Sequence, residues 1–106
     1  MGASARELEE DLVLICAGFQ GRFALDDAYC AGRILQLLEE AQRSDAAVAV
    51  DLIARSFPSA WEGLNARTYG PPGLEGDIAF CARESILEVV PPFSRMVGGA
   101  AEIAVA

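Results

Sequence analysis

The chain has 106 residues and a formal net charge of −8, with sixteen acidic residues against eight basic ones, all eight of them arginine, and no histidine. Histidine-based nucleophile triads, histidine-ligated zinc and lysine Schiff bases therefore cannot be built from this chain alone. Nucleic acid is not an expected partner either, because neutralising phosphates takes a basic face and none is visible.

The length fits one domain, residues 1–106, large enough to fold around its own core. Its apolar runs are short and broken by Asp, Glu or Arg, so no segment approaches the roughly 20 apolar residues of a membrane span. No membrane partner is expected. Residues 1–11 are too polar for a secretory signal, which makes the cytoplasm the expected compartment. Cys16, Cys30 and Cys81 are odd in number and widely spaced. They read as buried thiols acting as small hydrophobes rather than as a disulfide framework, with a reactive or metal-bound thiol as the alternative.

In chain order, Ser4 and Glu7 fit a capping box opening a short helix. Residues 12–17, Leu-Val-Leu-Ile-Cys-Ala, have the length and branching of a strand buried on both faces. After a loop at residues 18–24, an apolar stripe through Leu25, Ala28, Tyr29, Gly32, Leu35 and Leu38 predicts a helix over 25–42. Gly32 in its middle costs about 1 kcal/mol against alanine, which points to another backbone packing closely there. Ser44 caps a second helix over 45–56, and Pro58 precedes a third over 59–67, with Trp61 and Leu64 turned inward. Gly70-Pro71-Pro72-Gly73 ends regular structure. Asp77 is placed to cap a short helix reaching Ala82, residues 86–90 read as a strand stopped by Pro91-Pro92, and 101–105 as a last strand. The fold class is α/β, a small sheet of a few strands packed by about three principal helices. A sheet this small leaves open edges, and a homo-oligomer is expected on that ground.

The region to examine for function is 18–27. Ligands of open α/β sheets bind where loops leave the carboxyl ends of strands and helix amino termini present free N–H groups. Gly18 and Gly21 permit a tight turn and a close backbone approach to a ligand, or simply the turn itself. Arg22 offers a planar fork to an anion, or is an ordinary surface arginine. Asp26 and Asp27 supply hard oxygen ligands of the kind magnesium takes, or merely favour the helix dipole. Asp77 is fully explained as a cap.

Cys16-Ala17-Gly18, Gly21-Arg22-Phe23, Leu25-Asp26-Asp27, Cys30-Ala31-Gly32, Asp45-Ala46-Ala47, Asp77-Ile78-Ala79-Phe80-Cys81 and Val89-Val90-Pro91 follow one another in an order that resembles the second half of the 2-phosphosulfolactate phosphatase family. The resemblance spans roughly residues 12–92. It implies magnesium-dependent hydrolysis of a small anionic phosphate ester, in coenzyme M biosynthesis. Asp27 would be the metal ligand, with Asp26 beside it in place of the family's glutamate. Gly18, Gly21 and Arg22 would hold the anionic substrate.

The chain departs from the family pattern at two places. Near Tyr69-Gly70 the family carries a Ser-x-His-Gly stretch, and this chain has no histidine. Family members are about twice as long, and their Asp-Val-Leu-Arg-Ala-Thr and Thr-Thr-Asn-Gly segments are not found here. No catalytic residue is assigned, and a separate chain supplying the missing half is expected as a partner if the chain takes part in catalysis. The alternative is a non-catalytic, oligomeric binding or interaction module of the same descent. An unrelated small α/β protein is the remaining reading.

Overall fold

A computed structural model describes residues 10–38, 40–65 and 72–104. The proposed capping box at Ser4 and the Tyr69-Gly70 region lie outside these residues. The elements are α1 (Leu25–Gln36), α2 (Asp45–Ser56), α3 (Ala60–Leu64), α4 (Glu75–Cys81), β1 (Phe93–Val97) and β2 (Ala100–Ile103). Among the described residues, four helices and a two-stranded antiparallel sheet make this a small α/β fold.

The helices start where short polar side chains stop the chain. Ser44 Oγ accepts from Ala47 N–H at 3.2 Å, capping α2 as expected. Ser59 Oγ accepts from Glu62 N–H at 3.3 Å and donates to Glu62 Oε2 at 3.1 Å, a side-chain variant of the capping box that the Ser-x-x-Glu spacing signals. The first helix closes earlier than its apolar stripe suggests, at Gln36 rather than Gln42. There the backbone tightens into three-residue bonds, Leu37 N–H to Ile34 O and Leu38 N–H to Leu35 O, and the Arg43 guanidinium takes the Leu35 carbonyl at 2.8 Å. Asp77 does not cap α4, whose N-cap is Leu74; Asp77 lies exposed within the first turn, where its charge suits the dipole.

Small residues hold the helices together. Ala28, Ala31, Gly32 and Leu35 of α1 are buried, as is Ala54 of α2. A Cβ built on Gly32 would strike the Val50 carbonyl oxygen and come within 2.5 Å of Ala54 Cβ, so the close packing expected at this glycine is present. Asp51, only 9% exposed, ties the pair electrostatically. It receives Arg43 Nη1 at 2.8 Å, Arg55 Nε at 3.0 Å and Gln36 Nε2 at 3.3 Å. Arg55 lies one turn after Asp51 on the same helix, a spacing visible in sequence.

Tyr29 is buried between α1, α3 and the residues after α2, edge-on to Phe57 with ring centroids 6.0 Å apart. Its ring fills the place a side chain on Gly63 would need, at 2.6 Å from Cε2 and Cγ. Gly63→Ala should therefore lower stability by about 1 to 3 kcal/mol through overpacking, although alanine is the better helix former. Thermal melting checks this, and an unchanged or higher midpoint would show that the ring moves aside freely.

Two expectations about strands are corrected, while the last expected strand, over 101–105, is present as β2. Residues 12–17 pair with no strand among the described residues, and Val13 and Ile15 are 80% and 90% exposed. Residues 86–90 are likewise unpaired and exposed. The strand instead begins beyond the prolines, at Phe93, where every residue can again donate an N–H. It turns through Gly98-Gly99 and pairs antiparallel with β2, with Val97 opposite Ala100 and Arg95 opposite Glu102. Only Gly98 of the two turn residues has a positive φ, 61°, the pattern of a type II′ hairpin turn. A Gly-Gly pair between apolar runs is the sequence signal for that hairpin. Both strands are exposed apart from the half-buried Glu102, so the helices do not cover the hairpin. The three cysteines are exposed rather than buried, and Trp61, expected inward, is exposed as well, with Leu64 half-buried. No described helix is long and apolar enough to cross a membrane.

Candidate functional site

The loop ahead of α1 is a two-residue hairpin turn. Phe19 N–H donates to Arg22 O at 2.9 Å and Arg22 N–H to Phe19 O at 3.0 Å. The residues between them, Gln20 and Gly21, have φ of 51° and 74°, the two positive values a type I′ turn requires. Glycine meets that demand at no steric cost, while Gln20 adopts it against its own Cβ. Gly18 has φ of 72° and sits so close to Arg22 that a Cβ there would lie 2.6 Å from the Arg22 carbonyl oxygen. Both glycines are thus fixed by the turn.

The turn is fastened to the helix by one of the two acids. Asp27 Oδ2 accepts the Gly18 N–H at 2.6 Å, a charge-assisted bond that spans the loop. Asp26 Oδ1 accepts the Asp27 N–H at 3.0 Å and satisfies a first-turn donor in place of the missing cap at Ala24. Gly18, Gly21, Asp26 and Asp27 therefore share one compact unit. The Arg22 backbone belongs to it, whereas its side chain is exposed and makes no ion pair among the described residues. Each carboxylate keeps its second oxygen free of hydrogen bonds among the described residues.

Next to this unit lies Cys30, three and four residues along the same helix from the two acids. Although the residue is exposed overall, the partial burial of its thiol, and then the Asp26 and Asp27 carboxylates, push that thiol above the ordinary cysteine value. Cys16 Sγ donates to the Asp27 carbonyl at 3.7 Å. No group of three or more Cys, Asp or Glu side chains among the described residues is arranged to hold a metal by itself.

A second charged cluster, which the sequence reading missed, lies about two turns further along α1. Arg33 grips Glu84 with both ends of its fork, Nε to Oε1 and Nη2 to Oε2, each at 2.8 Å, and also donates to Gln36 Oε1. The hydrogen bond from Arg33 holds the Glu84 carboxyl below its ordinary value, and the same bond raises Arg33. Burial, then the Glu84 charge, pushes the Tyr29 phenol up. Arg33 and Glu84 stand 51 residues apart, so no local spacing announces the pair. Its evident work is to fasten the turn after α4 to α1.

Comparison with known proteins bears on what the turn and its acids do. The family model described as 2-phosphosulpholactate phosphatase matches residues 2–95. A probable 2-phosphosulfolactate phosphatase of Thermus thermophilus is 36% identical, covering 91% of this chain and 44% of its own length. One of Thermotoga maritima is 34% identical over 78% of this chain and 39% of its own. The 2-phosphosulfolactate phosphatase of Methanothermobacter thermautotrophicus is 31% identical over 85% of this chain and 41% of its own. The chain thus spans less than half the length of these curated relatives. No solved structure matches it.

Proposed function

Because the chain belongs to the 2-phosphosulfolactate phosphatase family, we propose that it supplies the glycine-turn and acidic-helix portion of a phosphoric monoester hydrolase for small anionic phosphate esters of the phosphosulfolactate type. The family match over residues 2–95 carries this reading. Asp27 is the proposed metal ligand, with Asp26 beside it, and Arg22 with the N–H groups around Gly18 and Gly21 the proposed anion-binding groups.

The donor set fits magnesium. Its oxygens are hard, magnesium commonly takes only one or two carboxylates while keeping waters, and both acids retain an oxygen that the turn does not use. Magnesium, when bound, would neutralise phosphoryl charge. The chain's own residues do the rest: the Gly18 N–H fixes the Asp27 carboxylate, the turn fixes Gly18, and the exposed Arg22 guanidinium is free to take the remaining anionic group as a fork. The whole activity further calls for the portion of the relatives that this chain does not span, which a partner would supply. The cytoplasm is the proposed compartment for this reaction.

The test is phosphate release from phosphosulfolactate and a generic phosphate monoester, with magnesium and with chelator. The chain is assayed alone and co-expressed with the first half of the Thermus thermophilus relative. Asp27→Asn is the informative variant because its amide oxygen still accepts the Gly18 N–H while the anionic charge is gone. Magnesium-dependent turnover is expected, with apparent magnesium affinity falling by at least about 10- to 100-fold in Asp27→Asn, the range that even outer-shell partners command. Melting temperature should change little. Loss of fold without a magnesium effect would reduce Asp27 to a loop fastener.

The second reading is a non-catalytic oligomeric binding module. The bond from Gly18 N–H to Asp27 favours it, because that bond gives Asp27 a structural task independent of any ligand. Absence of turnover in every arm of the assay would establish this reading over the first.

A further inference from the structure

We infer that residues 12–17 are an open β-strand that docks by main-chain pairing onto the polypeptide making up the rest of the relatives' length. The inference rests on the proposal that such a partner completes the enzyme. It adds the surface through which the two join.

The segment already has the character of a strand without a neighbour. Its sequence is uninterrupted apolar, Leu-Val-Leu-Ile-Cys-Ala. Exposure alternates over its first four residues, with Leu12 at 45%, Val13 at 80%, Leu14 half-buried and Ile15 at 90%, the period of two that a strand imposes, before Cys16 and Ala17, both exposed. The segment runs along a groove over α1 that includes Ala31 and Ile34, and Val13 and Ile15 are its most exposed large side chains. None of its backbone N–H or C=O groups bonds to another backbone group among the described residues. Six successive apolar residues with unpaired main chain form a template for strand addition. Large β-branched side chains on the outward face further call for a covering layer.

Two observations select the occupant. The chain covers only 44% of the Thermus thermophilus relative, so in that protein more than half of the polypeptide lies outside the matched part and is available to pair with this strand. A second copy of this chain would bring its own charge of −8 against the first, with Glu10 and Asp11 directly beside the strand. The occupant is therefore an extended apolar segment of the family's first half, not a second copy.

The experiment co-expresses the full chain with the first half of the Thermus thermophilus relative and reads two quantities. Light scattering after size exclusion gives the stoichiometry, and amide hydrogen exchange reports on residues 12–17 in the free chain and in the complex. A one-to-one complex is expected, with exchange at alternate amides of the segment slowed at least about tenfold. Because alternate N–H groups of a strand point to opposite edges, one of Leu14→Pro and Ile15→Pro must remove a donor from the paired edge. That variant should lose the complex while the free chain melts as before, since no bond of the free chain is removed. Val13→Asp, which leaves the backbone intact, should weaken the complex by placing a charge under the covering layer.

Three results would overturn the inference: no complex, a complex in which these amides exchange as in the free chain, or a homo-oligomer of the chain alone that already protects them. A complex that forms but releases no phosphate would remove the enzymatic reading and leave the docking surface standing. Turnover by the chain alone with these amides unprotected would do the reverse.

Discussion

Gly32→Ala is expected to destabilise the chain by about 1 to 2 kcal/mol, even though alanine improves helix propensity by about 1 kcal/mol. The added Cβ would meet the Val50 carbonyl oxygen and lie 2.5 Å from Ala54 Cβ. The first of these is helix backbone, which cannot swing away as a side-chain tip can. Relief requires α1 and α2 to separate, and that loosens the packing of Ala28 and Leu35, which share the face of Gly32. Overpacking of this kind costs typically 1 to 3 kcal/mol, occasionally more, and it outweighs the propensity gain. A midpoint drop of about 4 to 8 °C per kcal/mol follows for a domain of this size. Gly32→Leu should be worse, to the point of failing to fold. A rise in melting temperature for Gly32→Ala would mean that the helices do not touch at this residue.

Asp51→Ala should cost about 2 to 4 kcal/mol, the lower part of the range for breaking a buried ion pair because Arg55 remains about half exposed. The variant strands Arg43, whose side chain is 16% exposed, and leaves Gln36 without its acceptor. Asp51→Asn should fall between, since an amide oxygen still accepts one donor. The pH dependence separates this account from simple loss of packing. Burial alone would push the Asp51 carboxyl up, but the hydrogen bonds from Arg55 and Gln36, together with Arg43, outweigh it and hold the group below its ordinary value. A depressed carboxyl contributes stability that is fully present above its unfolded value of about 3.9 and is lost as pH falls through its folded value. The stability gap between wild type and Asp51→Ala should therefore be widest above about pH 4 and narrow in more acidic solution. A gap independent of pH, measured by denaturant unfolding across that range, would assign Asp51 a packing role only.

The elements read correctly from sequence are those whose causes lie within a few residues. Ser44 four residues ahead of Val48 and Asp45 in the first turn are enough to begin α2, because a helix start is satisfied by its own side chains. The apolar stripe of α1 likewise needs no distant partner to be recognised, and the glycine at position 32 betrays a close neighbour before that neighbour is known. At the candidate site, the glycine turn and acidic helix start were legible for the same reason. The bond from Gly18 N–H to Asp27 was not, since it depends on how the type I′ turn folds back over the helix. That bond gives the acid a structural task beside any ligand role.

Two of the three expected strands failed for the opposite reason, while the last is present as β2. Residues 12–17 and 86–90 carry the composition of strands, but a strand exists only where another backbone accepts its hydrogen bonds, and no composition supplies that partner. The hairpin of β1 and β2 formed instead where Gly98-Gly99 brings two runs together locally.

By itself the sequence determined the family, the helical segments with their caps, the close approach at Gly32, and the net charge of −8. Only the tertiary structure decided that Asp51 binds Arg43 and Gln36 at the helix pair, that Arg33 finds Glu84, that Tyr29 fills the space over Gly63, and that the apolar segment ahead of the turn pairs with no strand among the described residues. Each of these depends on atoms brought together from positions distant in the chain, whereas caps and stripes are settled by neighbours along it.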